Sequence, residues 1–364
     1  MKLLTIVGAR PQFVKASVVS LALQKAGLEE CILHTGQHFD DNMSDIFFRD
    51  LGIPAPQLRL DIHGGNHGEM TGRMLAEIES AILAQKPSAV LVYGDTNSTL
   101  AGALAAAKLN VPVAHVEAGL RSLDRSMPEE INRVLTDQIS DYLFTTEREA
   151  GDNLAREGIS NEKRHFVGNV MVDSVMDGLK RAIPAEQTFA SSGCSFDPAN
   201  YALLTLHRPS NVDDKDVFTR LAKALSSIGK KTPVFFPVHP RTKKAIESFG
   251  LEALFDGSSI FLAPPQPYLS MLGLMKDAKI VLTDSGGLQE ETTALGVPCL
   301  TLRDNTERWI TVREGTNIIV GTEPDRILAA HQAILEGETK KGSRPELWDG
   351  KAAERIVSVN RNGA

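Results

Sequence analysis

Cysteine is scarce. Cys31, Cys194 and Cys299 are the only three in 364 residues, and no C-x-x-C pair is present. An odd, scattered set fits buried thiols in a reducing compartment. Long apolar runs are missing too: no stretch reaches the roughly 18 residues that suggest a membrane span. The opening Met-Lys-Leu-Leu-Thr-Ile-Val is too short for a signal-peptide core and reads as a first buried strand. The cytoplasm is therefore the default expectation, with no membrane partner. Positive charge is in deficit, with 39 Lys and Arg against 46 Asp and Glu, a net charge of −7 and a pI near 5.8. A sequence-independent nucleic-acid surface needs a basic face, so nucleic acid is disfavoured as a partner. Any anionic ligand must be held by local positive charge. Internal repeats, low-complexity tracts and long charge runs are absent as well.

What remains is a soluble globular composition, 42% hydrophobic and 23% charged. The length exceeds one ordinary core and makes two domains the natural expectation. Strand-like runs at Leu3–Val7, Ala89–Tyr93, Pro112–Val116 and His165–Val167 alternate with helical patterns at Lys15–Ala26, Gly68–Gln85, Ser98–Leu109, Met127–Ile139 and Glu147–Glu157. That alternation predicts parallel βαβ units with right-handed crossovers. Ile183–Asn200 has no period and reads as linker or loop. Strands resume at Tyr201–Leu206, Val234–Val238, Lys279–Thr283, Val297–Leu302 and Asn317–Val320. Between them fall helices at Asp213–Ile228, Arg241–Phe249, Pro267–Lys276 and Leu288–Leu295. The domain boundary is expected near Gly168 to Leu179, giving domains over 1–168 and 169–349. A further helix, within 350–364, is expected to pack back on the first domain.

Nearly every strand-like run ends in a polar residue, and in open α/β sheets ligands bind outside those carboxyl ends. Gly8-Ala9-Arg10-Pro11-x-x-x-Lys15 is a strand-to-helix turn where Arg10 and Lys15 can reach a phosphate. It is neither a Walker A loop nor a G-x-G-x-x-G fingerprint. Asp284-Ser285-Gly286-Gly287 opens a helix whose N–H groups can cradle a diphosphate, with Glu291 just over one turn on for ribose hydroxyls. Asp95 and Glu117 end neighbouring strands, and Glu129 and Arg133 lie one turn apart on the helix begun by Pro128. Carboxylates converging on one cleft offer general acid and base chemistry. His207-Arg208 brings an imidazole and a guanidinium. His239, before Pro240-Arg241, reads as a packing or loop residue. His63-x-x-x-His67 has no third ligand nearby, which disfavours zinc.

Together these segments resemble the non-hydrolysing UDP-N-acetylglucosamine 2-epimerase family. The resemblance rests on Gly8-Ala9-Arg10-Pro11 with Lys15, Gly36-Gln37-His38, Gly94-Asp95-Thr96, His115 to Arg121, Pro128-Glu129-Glu130-x-Asn132-Arg133, Thr205-x-His207-Arg208, Pro237-x-His239-Pro240, Asp284 to Glu291 and Thr306-Glu307-Arg308. It implies an α/β fold of two Rossmann-like, doubly wound parallel-sheet domains facing a cleft, the GT-B-like arrangement. It also implies a homodimer, polysaccharide biosynthesis, and no cofactor, metal or nicotinamide. The family inverts C2 of the sugar by removing its proton and expelling UDP from C1. A 2-acetamidoglucal intermediate then takes UDP back, interconverting UDP-GlcNAc and UDP-ManNAc. By similarity Asp95, Glu117, Glu129 and His207 are the acid/base set, with Arg10, Lys15 and Arg133 around the ligand. Gln266 and Met271 fall near the uracil, Ser285, Gly286, Gly287 and Arg308 on the diphosphate, and Glu291 on the ribose.

The chain departs from the family pattern at three places. Pro209-Ser210-Asn211 follows His-Arg where Glu is frequent two residues on. Trp309-Ile310 replaces Pro-Glu, and Phe39-Asp40-Asp41-Asn42-Met43 stands where activated relatives carry glutamines for a second UDP-sugar. Hyperbolic kinetics are the expectation. The segments Gly8–Phe13, His34–Asp40, Leu60–Gly65 and Tyr93–Gly102 are similar to the branch acting on UDP-2,3-diacetamido-2,3-dideoxyglucuronate. The second half is more like the general family. That branch and a hydrolysing epimerase releasing UDP and ManNAc stand as the alternatives.

Overall fold

The computed structural model describes residues 1–37, 54–255, 259–338 and 340–362, the side chains of Arg10 and of residues 360–362 excepted. His38 and the Phe39 to Met43 departure lie outside the described residues. Two compact units form, Met1–Met176 with Glu346–Ala364, and Asp177–Pro345.

In the first unit seven strands pair in parallel: β1 (Lys2–Val7), β2 (Glu29–His34), β3 (Leu58–Arg59), β4 (Ala89–Tyr93), β5 (Val113–Ala118), β6 (Tyr142–Thr145) and β7 (Arg164–Phe166), in the order β3-β2-β1-β4-β5-β6-β7. Chain direction across the sheet reverses between β1 and β4, the switch point where such sheets bind ligands. All five residues of β4 are buried. Strands covered on both faces need such unbroken apolar runs. The crossover helix Asn97–Lys108 is rich in alanine and presents Ala101, Ala103, Ala105 and Ala106 to the core, so it packs close to the sheet.

The second unit holds β8 (Ala202–Thr205), β9 (Val234–Pro237), β10 (Ile260–Ala263), β11 (Ile280–Thr283), β12 (Cys299–Thr301) and β13 (Asn317–Ile319), again parallel, in the order β10-β9-β8-β11-β12-β13. Its switch point lies between β8 and β11. Helix Lys215–Gly229 shows why these sequences fold as they do. Asp214 caps it, accepting from the Asp216 and Val217 N–H groups at 2.9 Å each. Phe218, Leu221, Leu225 and Ile228 recur at helical spacing and are fully buried. Proline stands at the first helical position of Pro128–Ile139 and Pro240–Phe249, where its missing N–H costs nothing.

The segment expected as linker or loop differs from the sequence expectation. Within Ile183–Asn200, Ala185–Ser192 is helical. Phe189 explains it, packing its ring 4.9 Å from both Tyr201 and Phe235. The tertiary anchor outweighs a local composition that carries no period.

Candidate functional site

Gln12 builds the turn after β1. Its amide oxygen accepts from the Gly8 and Ala9 N–H groups at 2.8 and 3.0 Å, while its nitrogen donates to Tyr93 O at 2.8 Å and Thr99 Oγ1 at 2.9 Å. All four positions of the amide are used. The turn is thereby tied to the end of β4, and its first two N–H groups are engaged by the chain itself. Lys15, one turn into helix Arg10–Lys25, sends its ammonium to Glu117, forming a buried ion pair.

Glu117 sits at an irregularity in β5 where the register shifts between Val116 and Ala118. Its φ is +75°, in the left-handed region. A non-glycine residue held there costs about 1–3 kcal/mol, and such positions collect at functional sites. The bulge re-aims a residue that would otherwise follow the strand's alternation. Gly94, at φ +63°, closes β4 beside it: a Cβ there would stand 3.5 Å from Lys15 Nζ and 3.6 Å from Glu117 Oε1.

Asp95 follows Gly94. Arg133 donates to its Oδ2 from Nε at 3.0 Å and from a terminal nitrogen at 2.6 Å. The other arm of Arg133 reaches Glu130 Oε2 at 2.5 Å. Burial works against charge on Glu130, but the Ser122 and Leu123 N–H groups and Arg133 outweigh it and hold its carboxyl below the usual range. Asn132 donates to Asp95 O at 2.9 Å and to Asn97 Oδ1 at 3.2 Å. Helix Pro128–Ile139 thus grips Asp95 by both main chain and side chain. The Glu129 side chain, on the same helix, makes no hydrogen bond or ion pair among the described residues, and Glu129 is half-buried.

Behind this layer lies a support that sequence reading missed. His115 is fully buried, with Nδ1 2.7 Å from Asp137 Oδ1 and Nε2 2.8 Å from Gly94 O. Asp137 also takes the Gly119 N–H at 3.1 Å and an Arg121 nitrogen at 2.7 Å. Burial alone would raise its carboxyl, but His115 first and then Arg121 hold it below the usual range. The signal was present: His115, Gly119 and Arg121 fall in the same short segment as Glu117.

In the second unit, helix Gly286–Leu295 begins at Ser285, and among the described residues no side chain caps it. A Cβ on Gly286 would collide with Glu307 Oε1. The Ser285 N–H is held by Thr283 Oγ1 at 2.9 Å. Asp284 is fully buried beneath the turn. Its carboxylate accepts the His207 and Arg208 N–H groups at 3.0 and 2.8 Å, and His207 Nδ1 lies 3.0 Å from Oδ1. Burial opposes its charge, yet the His207 ring and these N–H groups prevail and hold the carboxyl below the usual range. Arg208 Nε is buried with no hydrogen-bond partner among the described residues.

Glu291 is buried on the same helix, near Tyr268. Burial, reinforced by the Glu291 charge, pushes the Tyr268 phenol far above its ordinary value. Arg308 is buried with Nε 3.4 Å from Glu290 Oε1. Gln266 and Met271 are half-buried; Gln266 donates to Pro264 O at 2.8 Å, and Met271 lies in the first turn of helix Tyr268–Asp277. The His239 ring is 5.6 Å from that of His207, and its Nδ1 accepts the Arg241 N–H at 3.2 Å. Within their own units the structure therefore joins Lys15 to Glu117, Arg133 to Asp95, and His207 to the Ser285–Gly287 turn. The Arg10 side chain lies outside the described residues.

Comparison with known proteins gives one consistent picture. A UDP-N-acetylglucosamine 2-epimerase from Methanocaldococcus jannaschii, solved in complex with UDP-GlcNAc and UDP, superposes with a TM-score of 0.92 at 46% identity over 100% of both chains. The Neisseria meningitidis enzyme bound to UDP-GlcNAc superposes at 0.90 and 32% identity, again over 100% of each. A UDP-2,3-diacetamido-2,3-dideoxy-D-glucuronate 2-epimerase of Pseudomonas aeruginosa is 50% identical over 361 residues, 98% of each chain. The model of the UDP-N-acetylglucosamine 2-epimerase family matches residues 21–361, and with that coverage and these identities the chain belongs to this family.

Proposed function

We propose that this protein inverts C2 of a UDP-sugar, with UDP-N-acetylglucosamine as substrate and UDP-N-acetylmannosamine as product, and without net hydrolysis. The observation that carries the reading is the pair of carboxylates at the ends of β4 and β5, each with its own cation: Asp95 with Arg133, and Glu117 with Lys15. Removing the C2 proton and expelling UDP from C1 needs a base, an acid and local positive charge, and re-addition needs them in reverse. Asp95, Glu117, Glu129 and His207 are the proposed proton-transfer set. Negative charge grows on the departing diphosphate, and preorganised donors stabilise it without reorganising. Ser285, Gly286, Gly287 and Arg308 are proposed for that task, with Arg10 and Lys15 adding positive charge. Glu291 holds the ribose, and Gln266 and Met271 flank the uracil. No metal or cofactor takes part in this reading, and the protein acts as a homodimer.

The test is incubation with UDP-N-acetylglucosamine in deuterated water, following C2 by NMR. Deuterium entering C2 of both epimers without stoichiometric free UDP is the expected result. Net UDP release favours a hydrolysing reaction, and no exchange with any UDP-sugar removes the epimerase reading.

A second substrate reading has its own support: the 50% identity to the Pseudomonas aeruginosa diacetamido-dideoxyglucuronate epimerase. Comparing kcat/KM for the two UDP-sugars separates them, because a site made for a 6-carboxylate and a 3-acetamido group loses binding partners with the simpler sugar.

A further inference from the structure

Asp284 is the first residue after β11, and His207 lies two residues beyond β8, so the two meet at the switch point of the second sheet. One rung earlier, Thr205 and Thr283 are register partners whose hydroxyls lie 2.7 Å apart. The two oxygens of Asp284 are loaded unequally. Oδ2 accepts the N–H groups of His207 at 3.0 Å and Arg208 at 2.8 Å, and the Asn211 amide at 3.2 Å. Oδ1 faces the His207 ring, 3.0 Å from Nδ1, and takes a longer share of the His207 N–H at 3.2 Å. A carboxylate only accepts, so Nδ1 must carry a proton.

We infer that Asp284 is a positioning residue for the proposed epimerisation: it fixes His207 with the proton on Nδ1 and so leaves Nε2 as the atom that takes or gives a proton. The inference rests on His207 serving as a proton-transfer group. The same carboxylate clamps the His207-Arg208 backbone onto the residue that begins the Ser285-Gly286-Gly287 turn, so imidazole and turn move as one body. The second nitrogen of a neutral imidazole is defined by the bond the first one makes. Such a carboxylate partner contributes by orientation and tautomer and need not itself be protonated.

The unequal load on the oxygens decides what Asp284→Asn does. Three donors converge on Oδ2, against one shared N–H at 3.2 Å on Oδ1, so the asparagine keeps its carbonyl at the Oδ2 position. Its NH2 then replaces Oδ1 and faces the ring. Nδ1 becomes an acceptor, and the proton moves to Nε2. His207 stays in place but presents the wrong face.

Three measurements on the full-length protein test this. Histidine-selective 15N NMR of the wild type is expected to show His207 protonated on Nδ1 with Nε2 bare, and the reverse in Asp284→Asn. Finding the Nε2–H tautomer in the wild type overturns the inference without any variant having to fold. Asp284→Asn is expected to lower kcat by about 10²–10⁴, with KM and UDP affinity within about threefold. Asn211→Ala, which removes a donor to Asp284 without touching the ring, is expected to cost less than about tenfold in kcat; an equal loss in both variants means a merely structural role. Finally, Asp284→Asn is expected to cost nothing more in a His207→Ala background. Factors that multiply overturn the positioning role alone, whereas wild-type turnover by His207→Ala overturns the assignment of His207 itself.

Discussion

Glu117 gathers three costly features in one residue: a buried carboxylate, a left-handed backbone and a bulged strand. Lys15 makes the first tolerable, because a buried charge without a counterion is expensive. Removing one partner of such a pair typically costs about 3–5 kcal/mol. Lys15→Met is therefore expected to lower the unfolding free energy by that order in urea denaturation, and adding Glu117→Gln should recover much of it. If the single variant is as stable as the wild type, the pair does not hold this turn. For turnover, Asp95→Asn and Glu117→Gln are each expected to lower kcat by about 10²–10⁴, with UDP affinity little changed. Isothermal titration with UDP beside steady-state assays separates the two effects. Loss of UDP binding with near-normal kcat would show that the carboxylate in question serves the ligand and not the chemistry.

Among the elements, Gly119 is a tightly constrained joint. It combines φ +81° with a position where a Cβ would run into the Ala150 carbonyl, and its N–H is held by Asp137. Gly119→Ala is expected to cost about 2 kcal/mol or more, combining left-handed strain with a clash against backbone that cannot swing away. Asp214→Ala, removing the cap of helix Lys215–Gly229, should cost about 1 kcal/mol; both are measurable by thermal or chemical melts. The parallel α/β alternation was legible because β4, β5 and the helices around them combine apolar runs with clear periods. β2 was not, since Glu29-Glu30 opens it with charge, and neither was helix Ala185–Ser192, which owes its place to Phe189. The same division runs through the site. Asp95 and Glu117 were visible as polar ends of apolar runs. Their pairings were not: Arg133 stands 38 residues from Asp95, and Asp284 stands 77 from His207. Sequence spacing carries no information on contacts made only by crossovers. Arg133 itself turns to Glu130 and Asp95, although Glu129 is the acid one turn away.

The whole chain crosses between its two units twice, once after Met176 and again before Glu346. Asp173 stands at the first crossing and accepts the Ala352 and Ala353 N–H groups at 3.1 and 2.8 Å, capping helix Ala352–Asn362. Burial pushes its carboxyl up to about 6, and the two N–H groups lessen the shift without cancelling it. A raised carboxyl binds its proton more tightly in the folded state. Its contribution to stability is full below about pH 4 and is lost as pH rises through about 6. The Tm of the wild type minus that of Asp173→Asn is therefore expected to fall between pH 4 and pH 6.5 and to be flat above; a difference that rises with pH contradicts the shift. Trp348 belongs to the same returning segment, fully buried with its Nε1–H donated to Thr146 O at 3.1 Å. Time enters here. During synthesis the first 176 residues leave the ribosome long before Trp348 and the capped helix exist, and about 170 residues of the other unit must be made in between. At about 5–20 residues per second that gap is roughly 10–35 s. Throughout it, the nascent first unit carries an open slot where an indole will sit. A chaperone that shields apolar surface on growing chains should bind ribosome-held chains halted between residues 176 and 345, and dissociate once the chain through Asn362 has left the ribosome.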